Sequence, residues 1–436
     1  MGARDLLLEI GTEEIPSRFI PPTLSELAAI AEEELRSERL VFENTQTLGT
    51  PRRIVLITRS LEEKQQDKSD EFKGPAWASA FDPSGNPTKA ARGFAKSKGV
   101  DVDSLEKRDF GGQEFAVAVK REEGRPSSAI LPAVLEKVMK RLSFPKSMYW
   151  DRTFHRFARP VRWLLALYGD ELLKVDFGLV SSDRFTRGHR FMGVRKIEVS
   201  KVGEYLEKLY DNFVIADPQK RREKMLAGIA SIEKEMGGKA VLDADLVEEN
   251  LYLVEYPVPF YGSFDQTFLQ IPEEVLVTTM KNHQRYFPVR DGSGNLKPCF
   301  IGVSNNRAAN MSVVREGNER VLRARLSDAS FFWEEDQKVP LSARVDSLKK
   351  IVHHEKLGTV YEKVSQVREL CGALCRMMDL AAEETEMVDR AAFLAKADSV
   401  TDMVYEFPEL RGVMGREYAA RDGENPRVAL ALFEQY

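Results

Sequence analysis

The side chains best suited to chemistry in this sequence lie in one short basic segment, residues 182–193. Arg184, Arg187, His189 and Arg190 fall within seven residues, in a chain of 436 residues whose formal net charge is −5. Like charges repel each other, and the guanidinium fork matches the geometry of phosphate and carboxylate groups. The segment therefore predicts an anion-binding loop, with nucleic acid as the leading ligand. The alternative is a solvated turn whose arginines pair with nearby acidic side chains.

A second pair of arginines follows directly after a turn. Arg52 and Arg53 come immediately after Gly49-Thr50-Pro51, where proline makes the turn rigid. This placement fits a positioned contact to phosphate or carboxylate. It fits equally well two paired surface arginines at the start of a strand.

A third basic segment alternates arginines with aromatic residues. Arg159 and Arg162 lie between Phe157 and Trp163. Aromatic rings stack on bases while arginines hold phosphates, so the pattern is one that nucleic-acid-binding surfaces use. The alternative is that the rings, Trp163 above all, belong to the core and that the arginines extend along it to solvent.

A fourth segment, residues 279–287, carries Lys281, His283 and Arg285 between two apolar runs. A histidine titrates near neutral pH and is able to act as an acid or a base. A lone histidine is more often structural, however, and no nucleophile with a partner base is present here. We therefore expect this segment to bind rather than to catalyse.

The only hint of metal chemistry comes from His353-His354 and from Lys396-Ala397-Asp398. Metal phosphohydrolases of the HD type use a histidine, a His-Asp pair and a later aspartate on helices. Here lysine or alanine stands where the histidine of the pair would be, and lysine is a poor ligand because it must first lose its proton. The sequence also lacks a phosphate-binding loop, a dinucleotide fingerprint and a nucleophile elbow. It predicts no metal site and no catalytic residue, and favours a binding or scaffolding subunit.

Composition favours a globular chain with an uneven charge distribution. Hydrophobic residues make up 43% and charged residues 31%, and the length suits roughly two to four domains. Residues 151–200 carry ten Lys/Arg against six Asp/Glu, whereas residues 361–436 carry nine against fifteen. Such asymmetry indicates one face for an anionic partner and another for solvent or protein. Three cysteines fit a reducing cytoplasm, and no apolar run is long enough to predict a membrane span or a secretory signal.

The elements that must position these side chains follow from periodicity. Residues 6–10 predict a buried strand, and residues 22–39 predict a helix with Thr23 and Glu26 at capping-box spacing. A further helix is predicted over residues 88–98, ended by Gly99. Residues 161–168 suit a strand or a helix, and the pattern is helical from about residue 316 to the end. We therefore expect a mixed α+β architecture over three quarters of the chain and helices afterwards.

Short sequence motifs along the chain, taken in order, resemble those of one known family, the bacterial glycyl-tRNA synthetase beta subunit. The resemblance covers the whole chain and lies in residues 8–16 (Leu-Glu-Ile-Gly-Thr-Glu-Glu-Ile-Pro), 50–53, 73–75, 159–163, 186–191, 279–281, 283–289, 317–326, 394–398 and 406–412. One departure is Met148-Tyr149-Trp150-Asp151, where members often have Met-Arg-Trp-Gly.

The resemblance implies a heterotetramer of two alpha and two beta subunits. In that family, the class II site of the alpha subunit joins glycine to ATP and then to tRNA, so ATP and Mg are expected there, with no cofactor on this chain. The beta subunit binds tRNA(Gly) and is required for charging. As its implied fold, we expect an α+β multidomain protein with a mixed α/β domain over residues 1–165 and an α+β domain over 166–340. The start of an all-helical HD-like domain with a degenerate metal motif is expected over 341–436, cut before the anticodon-binding region.

The predicted function is that of a non-adenylating subunit of a cytoplasmic glycine–tRNA ligase, without a membrane partner. The alternatives are an HD-type metal phosphohydrolase and an editing-type deacylase. The candidate tRNA-binding residues are Arg52, Arg53, Arg159, Arg162, Arg184, Arg187, His189, Arg190, Lys281 and Arg285.

Overall fold

A computed structural model describes residues 2–82 and 84–436 of the chain. The chain divides into two compact units. The first unit comprises residues 1–221 and 252–256, and the second comprises residues 222–251 and 257–436. In the part of the chain that the structure describes, no helix combines the length and the apolar character needed to cross a membrane.

The first unit is built mainly from strands. Its strands are β1 (Ala3–Thr12), β2 (Asn44–Thr50), β3 (Arg53–Glu62), β4 (Lys68–Ala76), β5 (Glu106–Asp109), β6 (Glu114–Glu122), β7 (Met148–Tyr149), β8 (Arg156–Phe157), β9 (Val161–Tyr168), β10 (Glu171–Leu172), β11 (Asp176–Phe177), β12 (Val180–Asp183), β13 (Phe185–Thr186) and β14 (Ile197–Glu198). Its helices are α1 (Ile20–Ser37), α2 (Trp77–Ala80), α3 (Lys89–Lys98), α4 (Ser127–Arg141) and α5 (Tyr205–Asp211).

Strand β1 lies in the middle of the largest sheet. The strand order is β11-β12-β9-β1-β3-β2, with β10 paired to β9, and β1 is antiparallel to both of its neighbours. Its residues from Leu6 to Ile10 are fully buried, as a nearly continuous apolar run predicts for a strand covered on both faces. Helix α1 packs on one face, next to Gly49. On the other face, Tyr205 and Leu209 of α5 pack with Leu7.

A small three-stranded sheet, ordered β4-β6-β5, forms a separate layer with α2 and α3. Its core consists largely of small residues, among them Ala91, Ala95 and Ala116. Gly74 on β4 allows the ring of Phe94 from α3 to lie against the strand, because a Cβ at this position would overlap the ring. The Lys-Gly-Pro motif at residues 73–75 therefore has a packing role in this layer.

The second unit is mostly helical. Its helices are α6 (Pro218–Met236), of which the first residues belong to the first unit, α7 (Ala244–Leu251), α8 (Glu273–Thr278), α9 (Met311–Asp336), α10 (Leu341–Arg344), α11 (Val360–Met377), α12 (Ala382–Leu394), α13 (Asp402–Glu406), α14 (Val413–Arg421) and α15 (Pro426–Glu434). A π-helical turn, Thr279–His283, follows α8. Its strands are β15 (Lys239–Ala240), β16 (Val258–Ser263), β17 (Phe287–Arg290), β18 (Leu296–Ser304), β19 (Val352–His354) and β20 (Gly358–Thr359). Strands β15-β17-β18-β16 form one sheet and β19-β20 a hairpin.

The mixed α+β class is confirmed, but the structure divides the chain differently from the three predicted domains. The predicted boundary at 165/166 lies inside strand β9. The boundary at 340/341 lies within a single hydrophobic core that runs from Phe260 to Leu432. The region after residue 340 was expected to be all-helical, and this is wrong because the β19-β20 hairpin interrupts it.

Candidate anion-binding cleft

The candidate site begins with the register of three neighbouring strands. Gly11 on β1 is paired with Arg53 on β3 and with Trp163 on β9. Side chains directly opposite each other in a sheet point to the same face. The missing side chain of Gly11 leaves the space that the Trp163 ring occupies, since a Cβ on Gly11 would overlap that ring. Trp163 is therefore a core residue, as the packing interpretation of its segment predicted.

Three guanidinium groups surround the Trp163 ring. The Cζ atoms of Arg52, Arg53 and Arg187 lie 5.7, 5.6 and 4.7 Å from the ring centroid. Arginine over an aromatic face is attracted by the ring quadrupole. The ring thus provides a common floor on which these cations are held close together.

Behind this floor lies a buried ionic cluster. Arg53 has no exposed surface, and its Nη2 lies 3.0 Å from Oε1 of Glu255 while its Nη1 lies 3.0 Å from Oε1 of Glu9. Arg52, 7% exposed, pairs with Oε2 of Glu255 at 3.2 Å. Thr50 and Thr186 donate hydrogen bonds to Glu255 and Glu9, respectively. Arg53 is consequently an interior residue, not a surface contact.

The two buried glutamates have different electrostatic surroundings. Burial raises the pKa of Glu9 even though Arg53 acts in the opposite direction. Burial also acts to raise the pKa of Glu255, but Arg53 and Arg52 outweigh it, so that pKa is lowered. Glu255 is thus the carboxylate that fixes both arginines in position.

The basic segment at residues 184–190 crosses this cluster as a tight turn. His189 is 1% exposed, and its Nδ1 accepts hydrogen bonds from the backbone N–H groups of Phe191 and Met192. Gly188 donates its N–H to the Val194 carbonyl, and the His189 N–H is donated to the Asn212 carbonyl. This turn brings Arg187 and Arg190 to the same side of the segment.

These groups form the wall of a cleft with a volume of about 690 Å³. The volume falls within the range of small-ligand sites. Five arginines and one lysine line the cleft against two acidic residues; the basic residues are Arg52, Arg162, Arg187, Arg190, Arg195 and Lys196, and the acidic ones are Glu13 and Asp183. The cleft therefore has an excess of positive charge.

Arg187 is a cleft cation that combines partial burial with the lack of a carboxylate partner. It is half-buried, and among the described residues no carboxylate lies within ion-pair distance of it; its Nη2 donates a long hydrogen bond to the Arg162 carbonyl at 3.5 Å. Burial and the like charges of Arg52 and Arg162 lower its pKa. A cation in this position gains stability from a bound anion.

Two acidic residues at the rim neutralise part of the remaining charge. Glu13 pairs with Arg162 at 3.0 Å and with Arg190 at 2.8 Å, and Glu14 lies 2.9 Å from Arg190. All three ion pairs are partly exposed, so an incoming anion competes with them at little cost. The alternative of arginines paired with nearby acids thus applies to Arg162 and Arg190 but not to Arg187.

The other predicted residues lie outside the cleft wall. Arg159 is exposed, and its Nε donates to the Glu14 carbonyl. Arg184 is half-buried beside the cleft. In the second unit, Lys281 pairs with Asp243 and Arg285 with Glu249, each at 2.8 Å.

Sequence reasoning missed the buried partners and two basic residues of the wall. Glu9 carried a signal, since a carboxylate within a strand predicted to be buried requires a partner. Its partner and the role of Glu255 could not be predicted, because only the fold brings these glutamates to arginines far away in the sequence. Arg195 and Lys196 carried a signal, since they belong to the same basic region as Arg184–Arg190.

The residues considered for metal chemistry differ from one another in their surroundings. His353 and His354 are exposed on β19, whereas Asp398 is buried and accepts the Gly412 N–H. The Lys396 ammonium lies 3.5 Å from the Tyr436 ring centroid. Within residues 2–82 and 84–436, no three His, Cys, Asp or Glu side chains come together in a way that suits a metal ion.

Comparison with known proteins shows to which family the chain belongs. It is 47% identical over 432 residues to the glycine–tRNA ligase beta subunit of Syntrophotalea carbinolica, covering 99% of this chain and 62% of that protein. The corresponding protein of Moorella thermoacetica is 46% identical over 434 residues, which is 100% of this chain and 62% of the relative. That of Desulforudis audaxviator is 47% identical over 434 residues, which is 100% of this chain and 63% of the relative. The chain thus spans less than two thirds of these relatives. The family model for the glycyl-tRNA synthetase beta subunit matches residues 6–436, and the chain belongs to that family.

Proposed function

We propose that this chain acts as the tRNA-binding portion of a glycine–tRNA ligase beta subunit. It supports glycyl-tRNA formation at the class II site of a partner alpha subunit, where ATP and Mg are bound. The full enzyme is a cytoplasmic heterotetramer of two alpha and two beta subunits, and the tRNA is tRNA(Gly). The beta-subunit names of the relatives support the alpha partner.

The main support for the proposed tRNA-binding role is the cleft around Trp163. Arg187 has no carboxylate partner among the described residues and lies against an aromatic ring, beside a wall rich in further arginines. Arginine is the side chain best matched to phosphate. A polyanion satisfies this cluster more fully than the partly exposed Glu13 does.

In this proposal, the chain's residues bind and orient rather than catalyse. Glu255 and Glu9 hold Arg53 in the interior, and Glu255 also holds Arg52, so the Arg52 guanidinium reaches the cleft with little freedom left to lose on binding. Arg187 and the rim arginines then hold backbone phosphates. Proton transfer and acyl transfer stay with the alpha subunit.

The test is tRNA(Gly) binding to the chain in complex with the alpha subunit, measured against salt concentration. Arg187→Ala should weaken binding several-fold and reduce the slope of log affinity against log salt by about 1, because one phosphate contact is lost. The control is Arg36→Ala, which removes an exposed arginine that already pairs with Glu32. A complex that does not bind tRNA, or an Arg187→Ala variant indistinguishable from the control, contradicts the proposal.

A further inference from the structure

A second cationic surface lies on helix α3, in the small layer formed by β4-β6-β5. The ten residues of α3, Lys-Ala-Ala-Arg-Gly-Phe-Ala-Lys-Ser-Lys, include four basic residues and no acidic one. Helices at protein surfaces ordinarily mix both signs of charge at spacings of three and four residues. Helix α3 therefore has no acidic side chain of its own to compensate its cations.

Three of these cations share one exposed face. Lys89, Arg92 and Lys96 follow each other at intervals of three and four residues, and all three are exposed. Among the described residues, none of them has a carboxylate within ion-pair distance. Many other exposed basic residues of the same unit do have one: Arg36 pairs with Glu32, Lys68 with Asp70, and Lys140 with Glu136.

The basic face of α3 is not needed for packing. The opposite face carries Ala91 and Ala95, both buried, and Phe94, which fits against Gly74 of β4. The fourth cation, Lys98, lies 4.5 Å from the Phe72 ring centroid and so belongs to this layer. The charges of Lys89, Arg92 and Lys96 remain unexplained by the fold.

The nearest acidic residues in the sequence are engaged in their own turns. The Asp82 carboxylate accepts backbone N–H groups of Ser84 and Asn86 before the helix. The Asp101 carboxylate accepts the Asp103 N–H after it. Among the described residues, neither carboxylate pairs with a cation of α3, so the exposed face of the helix keeps its positive charge.

Small residues lie beside the row of cations on the exposed side of α3. Ala90 and Ser97 are exposed there, and a Cβ added at Gly93 would meet nothing within 4 Å. A flat basic face without bulky side chains allows a phosphate backbone to approach closely. It also lacks the apolar centre typical of protein interfaces.

We infer that the face of α3 formed by Lys89, Arg92 and Lys96 binds the phosphate backbone of double-helical RNA. This inference rests on the proposed function, which supplies tRNA as the RNA. Double-helical RNA is recognised largely through its phosphates and its shape, whereas single strands also need aromatic rings for stacking. The exposed face of α3 offers no ring, since Phe94 is packed inward. Lys89 and Lys96 lie about 10 Å apart along the helix axis, at a rise of ~1.5 Å per residue.

The experiment compares two triple variants in the complex with the alpha subunit. Lys89→Ala/Arg92→Ala/Lys96→Ala removes the unpaired face, and Arg36→Ala/Lys68→Ala/Lys140→Ala removes the same residue types where they are paired. The α3 variant should bind tRNA(Gly) about tenfold more weakly and reduce the salt slope by about 2 to 3, one unit per phosphate contact. An excess of short duplex RNA should compete with tRNA on the wild type better than single-stranded RNA of the same length does.

A second variant keeps the charge and tests whether the effect is electrostatic. Lys89→Arg/Arg92→Lys/Lys96→Arg should retain wild-type binding, since phosphate contacts depend mainly on charge. Equal binding by the α3 variant and its control would overturn the inference while leaving the proposed function intact. Loss of alpha-subunit association with unchanged tRNA binding would overturn it too, by making the face a protein contact. A wild-type complex without tRNA affinity would overturn both proposals.

Discussion

Gly11 is a residue whose missing side chain defines the floor of the cleft. Gly11→Ala should destabilise the protein by about 1 to 3 kcal/mol, because the added Cβ overlaps the Trp163 ring and forces it to move. Urea denaturation of both proteins measures the difference. Gly93→Ala is the matched control: a Cβ there meets nothing within 4 Å, and alanine is the better helix former, so it should be neutral or slightly stabilising. An equal effect of the two substitutions would contradict this account of Gly11.

Glu255 allows a second prediction about a single residue, in which the change in stability depends on pH. Glu255→Gln leaves Arg52 and Arg53 without their shared carboxylate in the interior, and we expect a loss of about 3 kcal/mol at neutral pH. The pKa of Glu255 is lowered in the folded state from its ordinary 4.5. The stabilisation is therefore fully present above that value and is lost as the pH falls through the lower, folded-state pKa.

The measurement is the free energy of unfolding of wild type and Glu255→Gln between pH 7 and pH 3. The difference between them should be constant down to about pH 5 and should narrow below it. Glu32→Gln, which affects only the exposed pair with Arg36, should change stability by less than ~1 kcal/mol throughout. A difference that widens on acidification would be incompatible with a lowered pKa of Glu255.

Residue types and spacing predicted the cleft in part. The basic segments at residues 52–53, 162 and 187–190 are far apart in sequence, and the structure brings members of each to one wall. The burial of Arg53 was not predictable, because it depends on the pairing of β1 with β3 and on Glu255, about 200 residues away. A sequence shows that an arginine is present but not which carboxylate it will meet.

Asp336 shows how one side chain joins several elements of the second unit. It ends α9, and its carboxylate accepts backbone N–H groups of Asp402 and Met403 at the start of α13 and the hydroxyl of Tyr418 on α14, at 3.0, 2.9 and 2.9 Å. Arg344 of α10 lies 3.2 Å away. The carboxylate therefore serves as a shared cap for helices that local propensity alone would not connect.

Asp336→Ala should cost about 3 to 5 kcal/mol, since it leaves buried donors and the Arg344 charge unsatisfied. Denaturation followed by circular dichroism gives the value. Asp346→Ala removes an exposed aspartate that pairs with Lys349, and should change stability by less than ~1 kcal/mol. A small effect at Asp336 would mean that other contacts hold these helices together.

Elements were easier to predict than their arrangement. The helix expected over residues 88–98 is α3, and Gly99 ends it in a left-handed conformation; the strand or helix at residues 161–168 is strand β9. The prediction of helices after residue 316 did not include the β19-β20 hairpin. Hairpins of two or three residues per strand are too short for a periodicity to show, and the single core shared by α8–α15 depends on long-range contacts.

At the scale of the whole molecule, the chain has a net negative charge, yet its first unit carries two basic surfaces. These are the cleft around Arg187 and the face of α3. Within residues 2–82 and 84–436 the two surfaces share no side-chain partner, so their contributions to tRNA binding should be independent. Combining Arg187→Ala with Lys89→Ala/Arg92→Ala/Lys96→Ala should therefore add the separate losses, reducing the salt slope by about 3 to 4 in total. Titration of tRNA(Gly) at several salt concentrations with all four proteins completes the cycle. A combined loss much smaller than the sum would mean that both surfaces contact RNA in one mutually dependent bound state, and the view of two independent anchors would have to be abandoned.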